Sequence, residues 1–265
     1  DSITYAKKIQ EAILPSQEVI TSYFPDSFIL YRPRDIVSGD FYWFSKQHNR
    51  MFLAVADCTG HGVPGAFMSM IGHTLLNEIV NEKKIFTPSN ILARLNKGVL
   101  KALKQDIKDQ LTQDDGMDIS LCSFDFSEAK TEKALVKLKI ASANQPVILF
   151  NQGRPEIIEG DIYSIGGTLT NRADPEYQDH VFKVDRSAKL YMFTDGFQDQ
   201  FGGKDNYRFM TKRLLELISA NHQKTMNEQY KLIVHTLENW KGDNRQIDDV
   251  LVIGLHLNNI PSELD

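Results

Sequence analysis

Four short stretches place aspartates where apolar runs begin or end. "SGDFYW" carries Asp40, "MFLAVADC" carries Asp57, "KLYMFTDG" carries Asp195, and "DDVLVIGL" opens with Asp248 and Asp249. Carboxylates at the rims of adjacent strands can converge on one point above a sheet. Several gathered there repel one another, and unless they share protons the usual compensation is a hard divalent cation. All-oxygen ligation suits Mg2+ or Mn2+, the ions that accompany phosphorylated substrates. Taken singly, each aspartate also reads as a turn or cap residue. Their repetition at strand ends beside glycines favours the metal reading.

The stretch "VADCTGHGVPGAF", residues 55–67, runs from an apolar strand through Asp57 into Gly60, His61, Gly62 and Gly65 and then into a helix. Small residues after a ligand let backbone and a phosphate approach closely; the plainer reading is a glycine-rich turn. Cys58 and His61 also allow a thiol hydrolase, which would survive a chelator and be killed by a thiol alkylator. A cysteine phosphatase, however, places an arginine six residues after its cysteine, and that position here is Pro64.

The elements that must position these residues follow from periodicity. Strands are expected at roughly 26–33, 41–46 and 51–57. "VPGAFMSMIGHTLLNEIV" reads as a helix buried over most of its circumference. "TPSNILARLNKGVLKALK" reads as a helix capped at Ser89 or Asn90, with Ile91, Leu95, Val99 and Leu103 recurring every four residues. Further strands lie in "DISLCSFDF", "ALVKLKIASA", "PVILF", "HVFKVD" and "KLYMFTD", and "LVKLKI" alternates as if one face were wet. Helices at about 205–219 and 225–240 precede a last strand, "DVLVIGLHL". Runs of strands with paired helices disfavour a parallel βαβ sheet. The expectation is an α+β fold of two packed antiparallel sheets with helices outside.

At the start, "DSITYAKKIQEAILPS" repeats Ile3, Ala6, Ile9 and Ile13 at helical spacing until Pro15. Residues 1–16 are therefore expected to be a linker or regulatory helix, and 17–260 one domain, with surface loops near 105–116 and 166–179. The 265 residues carry 30 Lys and Arg against 35 Asp and Glu, a net charge of −5, which gives no nucleic-acid footprint. No stretch approaches the ~20 apolar residues that cross a bilayer, so no membrane contact is expected. Two cysteines cannot form a disulfide framework, and a reducing cytoplasm fits best.

"SGDFYW", "ADCTGHGVPGAFMSM", "GMDISLCSFD", "ASANQPVILF", "FTDGFQDQFGG" and "DDVLVIGL", in that order from about 38 to 256, resemble the metal-dependent PPM serine/threonine phosphatases, in particular the bacterial SpoIIE/RsbU branch related to protein phosphatase 2C. The resemblance implies an α-β-β-α sandwich holding two Mn2+ or Mg2+ ions, with phosphoserine or phosphothreonine hydrolysed by a water bridging them. It makes Asp57 the carboxylate bridging both ions and gives Asp40 and the backbone carbonyl of Cys58 to one of them. The other would take Asp195 and Asp248, with Asp249 the second choice, and Asp199 would serve a weaker third ion. Gly60 and Gly62 would give a phosphate clearance, and His61 would be either the proton donor to the leaving alkoxide or a structural hydrogen-bonding residue. Arg32 and Arg34 precede Asp40 without the spacing of the family's phosphate-holding arginine. Met117-Asp118 and Asn144-Gln145-Pro146 resemble structural or cleft-lining elements of the branch and are not expected to hold metal; Gly166-Gly167 reads equally as a substrate-facing loop or an ordinary turn. The implied partner is a phosphorylated regulatory protein such as an anti-sigma-factor antagonist. Control would come from an upstream, membrane-anchored sensor acting on the 1–14 helix through dimerisation. The alternative is a phosphatase-fold module that binds a phosphoprotein without turning it over.

Overall fold

The computed structural model describes residues 2–107, 114–129, 131, 134–167 and 174–260. Of the expected loops at 105–116 and 166–179, positions 108–113 and 168–173 lie outside the described residues. In chain order the elements begin with α1 (Ser2–Ile13), α2 (Gln17–Tyr23), β1 (Ser27–Arg32), β2 (Phe41–Gln47), β3 (Arg50–Cys58), α3 (Gly62–Leu76) and α4 (Pro88–Ala102). Next come β4 (Gly116–Asp125), β5 (Val136–Ala143), β6 (Val147–Asn151), β7 (Arg154–Ile158), β8 (Ile165–Gly166), β9 (His180–Val184) and β10 (Lys189–Phe193). The chain continues through α5 (Gly196–Asp199), β11 (Phe201–Gly202), β12 (Tyr207–Arg208), α6 (Thr211–Asn221), α7 (Met226–Lys241) and β13 (Val250–His256). No helix of the described residues is long and apolar enough to cross a membrane.

Two antiparallel sheets stack face to face. One has the order β2-β3-β4-β5-β9 with β8 attached to β4; the other has the order β1-β13-β10-β6-β7. Their strands read as continuous apolar runs because both faces are covered. Along β3, Met51, Leu53 and Val55 enter the core between the sheets, while Phe52, Ala54 and Ala56 pack under α3 and α4. Along β10, Leu190 and Met192 enter the same central core, and Tyr191 and Phe193 meet Leu214, Ile218, Ile233 and Leu237 of α6 and α7. The result is four layers, helix, sheet, sheet, helix, as the sequence led one to expect. The alternation in "LVKLKI" holds too: Val136, Leu138 and Ile140 are buried and Lys137 is exposed.

Four local expectations are corrected. The first helix packs on Ile3, Ala6, Gln10 and Leu14, leaving Ile9 and Ile13 exposed. The N-cap of α4 is Thr87, with Pro88 opening the helix, because the amide and hydroxyl of Ser89 are both taken by Asp179. The helix expected from 205 starts at Thr211, since Tyr207 pairs back onto Gly202 and Met210 has φ +76°. The helix after Asp57 turns π-helical over Asn77–Glu82, where Asn77 accepts from the Trp43 indole and Asn81 from Ser45.

Candidate active site

Strand alternation decides where the aspartates point. Asp57 continues the series Leu53, Val55 and therefore faces the space between the sheets; Asp40, one residue before β2, shares the side of Tyr42, which faces the same space. Asp57 pairs across β3–β4 with Asp118, and one step beyond the pair Phe41 and Ala56 sets Asp40 beside Asp57. Asp40, Asp57 and Asp118 thus form a row of acids across neighbouring strands, an arrangement that like-charge repulsion disfavours. From the opposing sheet, Asp195 follows β10 and Asp248-Asp249 precede β13, and these two strands are paired.

Burial and mutual repulsion raise this group together. The Asp57 carboxyl is pushed up to about 11, first by burial and then by Asp40 and Asp195. Asp40, only 2% exposed, is held well above the usual carboxylate range, chiefly by burial and then by Asp249, Asp248 and Asp195. Asp195, Asp248 and Asp118 are raised as well, burial leading in each. Asp57 and Asp195 act on each other across the gap between the sheets, Asp57 being raised by the charge of Asp195. Thr194 fixes Asp40: its hydroxyl accepts from the Leu251 amide at 3.1 Å and donates to Asp40 Oδ2 at 2.5 Å.

The residues singled out in the sequence divide into two groups. Asp57, Cys58, Gly60, His61, Asp195 and Asp248 line one cleft of about 500 Å³. Asp40 sits behind them, and the Cys58 carbonyl lies against Gly39, its chain neighbour. Asp249 stays near Asp40 but does not line the cleft, both of its oxygens accepting backbone amides, from Arg34 at 2.7 Å and Gly39 at 2.8 Å. Asp199 does not line the cleft and is ion-paired with Arg208 at 3.1 Å. Gly62 stays out of the cleft as well, packed against the Asp35 carboxylate. Gly60 needs its positive φ of +77°, whereas Gly65 serves packing: a Cβ there would lie 2.2 Å from the Gly60 carbonyl oxygen.

Asp118, expected as a structural or cleft-lining residue, stands in the cleft wall, held by Asn144 at 2.9 Å and by Ser164, and is paired opposite Asp57. Other participants were not anticipated. Asp35 meets His61 Nδ1 at 2.8 Å, leaving Nε2 as the free ring nitrogen. Gln10 of α1 grips Ser38, two residues before Asp40, through bonds of 2.7 and 3.1 Å. The thiol alternative fails on burial: the Cys58 side chain is on the helix side of β3, and burial, reinforced by Asp57 and Asp40, pushes it well above the ordinary thiol range.

The cleft wall carries five carboxylates, Asp57, Asp114, Asp118, Asp195 and Asp248, and none of the described residues lining it is lysine or arginine. A phosphate could enter only with its charge, and that of the acids, neutralised by added cations. The donor set fits a hard divalent ion. No three of the described His, Cys, Asp and Glu side chains are drawn in closely enough to enclose an ion by themselves. Mg2+ commonly takes one or two carboxylates and keeps several waters, so an open set suffices.

The chain and its fold have counterparts among known proteins. Residues 47–258 match the family described as Stage II sporulation protein E (SpoIIE). The fold is similar to that of the SiaA-PP2C domain of Pseudomonas aeruginosa, with a TM-score of 0.82 and 28% identity over 97% of this chain and 96% of that one. It is also similar to the PP2C phosphatase domain of SpoIIE from Bacillus subtilis, at a TM-score of 0.63 and 15% identity, covering 87% of this chain and 62% of that one. RsbX in complex with magnesium gives a TM-score of 0.57 and 16% identity over 87% and 94%. Among curated protein sequences there is no significant match. With 212 of its 265 residues matched and the acids of its two sheets gathered at one rim, the chain belongs to the SpoIIE family of PP2C-like phosphatases.

Proposed function

We propose that the domain hydrolyses phosphoserine or phosphothreonine in a regulatory protein with the help of two divalent ions. Asp57, Asp195 and Asp248 would hold the ions, with Asp40 and the Cys58 carbonyl completing the set; the engagement of Asp249 and Asp199 elsewhere argues against either as a ligand, and hence against the weaker third ion at Asp199. When bound, such ions neutralise developing phosphoryl charge and acidify a water at neutral pH. The chain's own groups then have separate tasks. Thr194 orients Asp40, and Gly60 keeps the cleft floor free of side chains. His61, oriented through Nδ1 by Asp35, offers Nε2 for the proton that the departing alkoxide must take up as the P–O bond breaks.

The observation that carries this reading is the five-carboxylate cleft with no lysine or arginine among the described residues that line it. The test is p-nitrophenyl phosphate turnover with Mn2+, with Mg2+ and with a chelator. Asp57→Asn is expected to lower ion-dependent turnover by at least about a hundredfold while keeping the far-ultraviolet spectrum; unchanged turnover would refute the assignment. A protein inert with both ions would instead be the non-catalytic binding module.

The regulatory part of the reading rests on α1. Its buried side is attached beside Asp40 through Gln10, and Tyr5, Ile9 and Ile13 form an exposed apolar face. These features support an N-terminal helix that answers to an upstream signal and pairs with a second copy.

A further inference from the structure

The cleft offers an incoming protein no lysine or arginine among its described lining residues, so the polypeptide around a phosphorylated residue must be recognised beyond the rim. Beside the cleft lies a second groove, about 900 Å³, whose wall includes Arg34, Asp35, Glu238, Lys241, Arg245 and Ile247. Two pairs of neighbours join it to the cleft. Ile247 lines the groove and Asp248 the cleft, and the groove's Asp35 meets the cleft's His61 at 2.8 Å.

The groove's charge is unbalanced. Three basic residues, Arg34, Lys241 and Arg245, line it against two acids, Asp35, which meets the His61 ring, and Glu238, which pairs with Arg32 and Lys241. Arg34 donates to the neutral Ile247 carbonyl, and neither Arg34 nor Arg245 has an acidic ion-pair partner among the described residues. This excess of positive charge stands beside a strongly acidic cleft in a chain of net charge −5. We infer that the groove docks an acidic stretch of polypeptide adjoining the phosphorylated residue of the substrate, a role that rests on the phosphatase reading above.

A second basic row exists, Arg50, Lys137 and Lys183 around a cavity of about 460 Å³, but it lies at the far end of β3 from Asp57. Seven residues of strand separate the two ends, roughly 23 Å at ~3.3 Å per residue. A residue two or three positions from a phosphoserine reaches only about 10 Å. Of these two basic surfaces of the described residues, the Arg34–Arg245 groove is the one near enough to read the flanks, and rim charges of this kind act chiefly on selection and encounter.

The test compares kcat/KM for two phosphoserine peptides of equal length, one with glutamates on both flanks and one with glutamines, for the unaltered protein, Arg245→Glu and Arg245→Lys. Turnover of p-nitrophenyl phosphate, too small to span the groove, normalises each variant for folded enzyme. The unaltered protein is expected to prefer the glutamate peptide by about tenfold at low ionic strength, the preference shrinking with added salt. Arg245→Glu should erase or invert the preference through KM, and Arg245→Lys should keep it. Equal use of both peptides by the unaltered protein, or an intact preference in Arg245→Glu, would overturn the inference. Absence of ion-dependent p-nitrophenyl phosphate turnover in the unaltered protein would remove the phosphatase reading and this one with it.

Discussion

Asp248 and Asp249 are chain neighbours with opposite tasks. Asp248 faces the cleft, its Oδ1 accepting the Asp249 amide at 2.8 Å, while Asp249 closes the Arg34–Gly39 loop with both oxygens. Replacing Asp249 by Asn puts an amide group against the Arg34 and Gly39 N–H donors. Asp249→Asn should therefore cost about 2–3 kcal/mol, read as a lowered Tm. Asp248→Asn should not lower the Tm and should lose ion-dependent turnover. The reverse pattern would exchange their roles. The sequence left this pair ambiguous because both precede the strand, and only three-dimensional pairing shows which one meets a backbone loop. Asp40, Asp57 and Asp195 were legible because each adjoins a long apolar run whose end is visible. Thr194 and Asp118 stood inside quoted motifs, but their partners lie 154 and 26 residues away in the chain, Asp40 and Asn144.

The same limit operates on elements. A hydrophobic template assigns the inner face of α1 to Ile3, Ala6, Ile9 and Ile13, whereas the packed positions include Gln10, chosen for its hydrogen bonds and not its hydropathy. Its amide donates to the Ser38 carbonyl at 2.7 Å and to Ser69 at 3.0 Å, and its carbonyl accepts the Ser38 amide. Ser38 is followed by Gly39, which binds Asp249, and by Asp40. Removing the side chain strands two backbone groups of Ser38, at a cost of about 1–3 kcal/mol, and a 12-residue helix is only marginally stable without its contacts. Gln10→Ala should speed amide exchange across α1 and raise the Mn2+ concentration for half-maximal turnover several-fold. Fast exchange in α1 with unchanged ion dependence would show that the helix and the site are uncoupled. The start of α6 and the extra strand β7, "RPEII", escaped prediction for a related reason: each depends on pairing to a neighbour, Tyr207 to Gly202 and Ile158 to Val147, and not on its own periodicity.

At the scale of the molecule, consecutive strands and paired helices sufficed to read a layered antiparallel sandwich, but not that β13, last in the chain, lies between β1 and β10. That order sets Asp195 and Asp248 on one sheet opposite Asp40 and Asp57 on the other, so the sandwich closes at this rim on like charges. In the protein freed of divalent ions the folded state favours the protonated forms of these acids. Their folded values lie above the unfolded value of 3.8, with Asp57 at about 11, so the folded state binds more protons. Stability is then full below the unfolded value and is lost as pH rises through the folded one. With a chelator present, the Tm should fall by roughly 5 °C or more between about pH 5.5 and 8.5, a range in which ordinary surface carboxylates no longer titrate. Divalent ions replace the protons, so Mn2+ or Mg2+ should raise the Tm, and by more at the higher pH. Asp195→Asn removes one carboxylate from the rim and with it part of the charge that raises Asp57. It should flatten the ion-free slope and blunt the response to ions, exchanging function for stability. A Tm without ions that is level across this range, or an ion response that Asp195→Asn leaves whole, would show that the two sheets are not held against each other's charge.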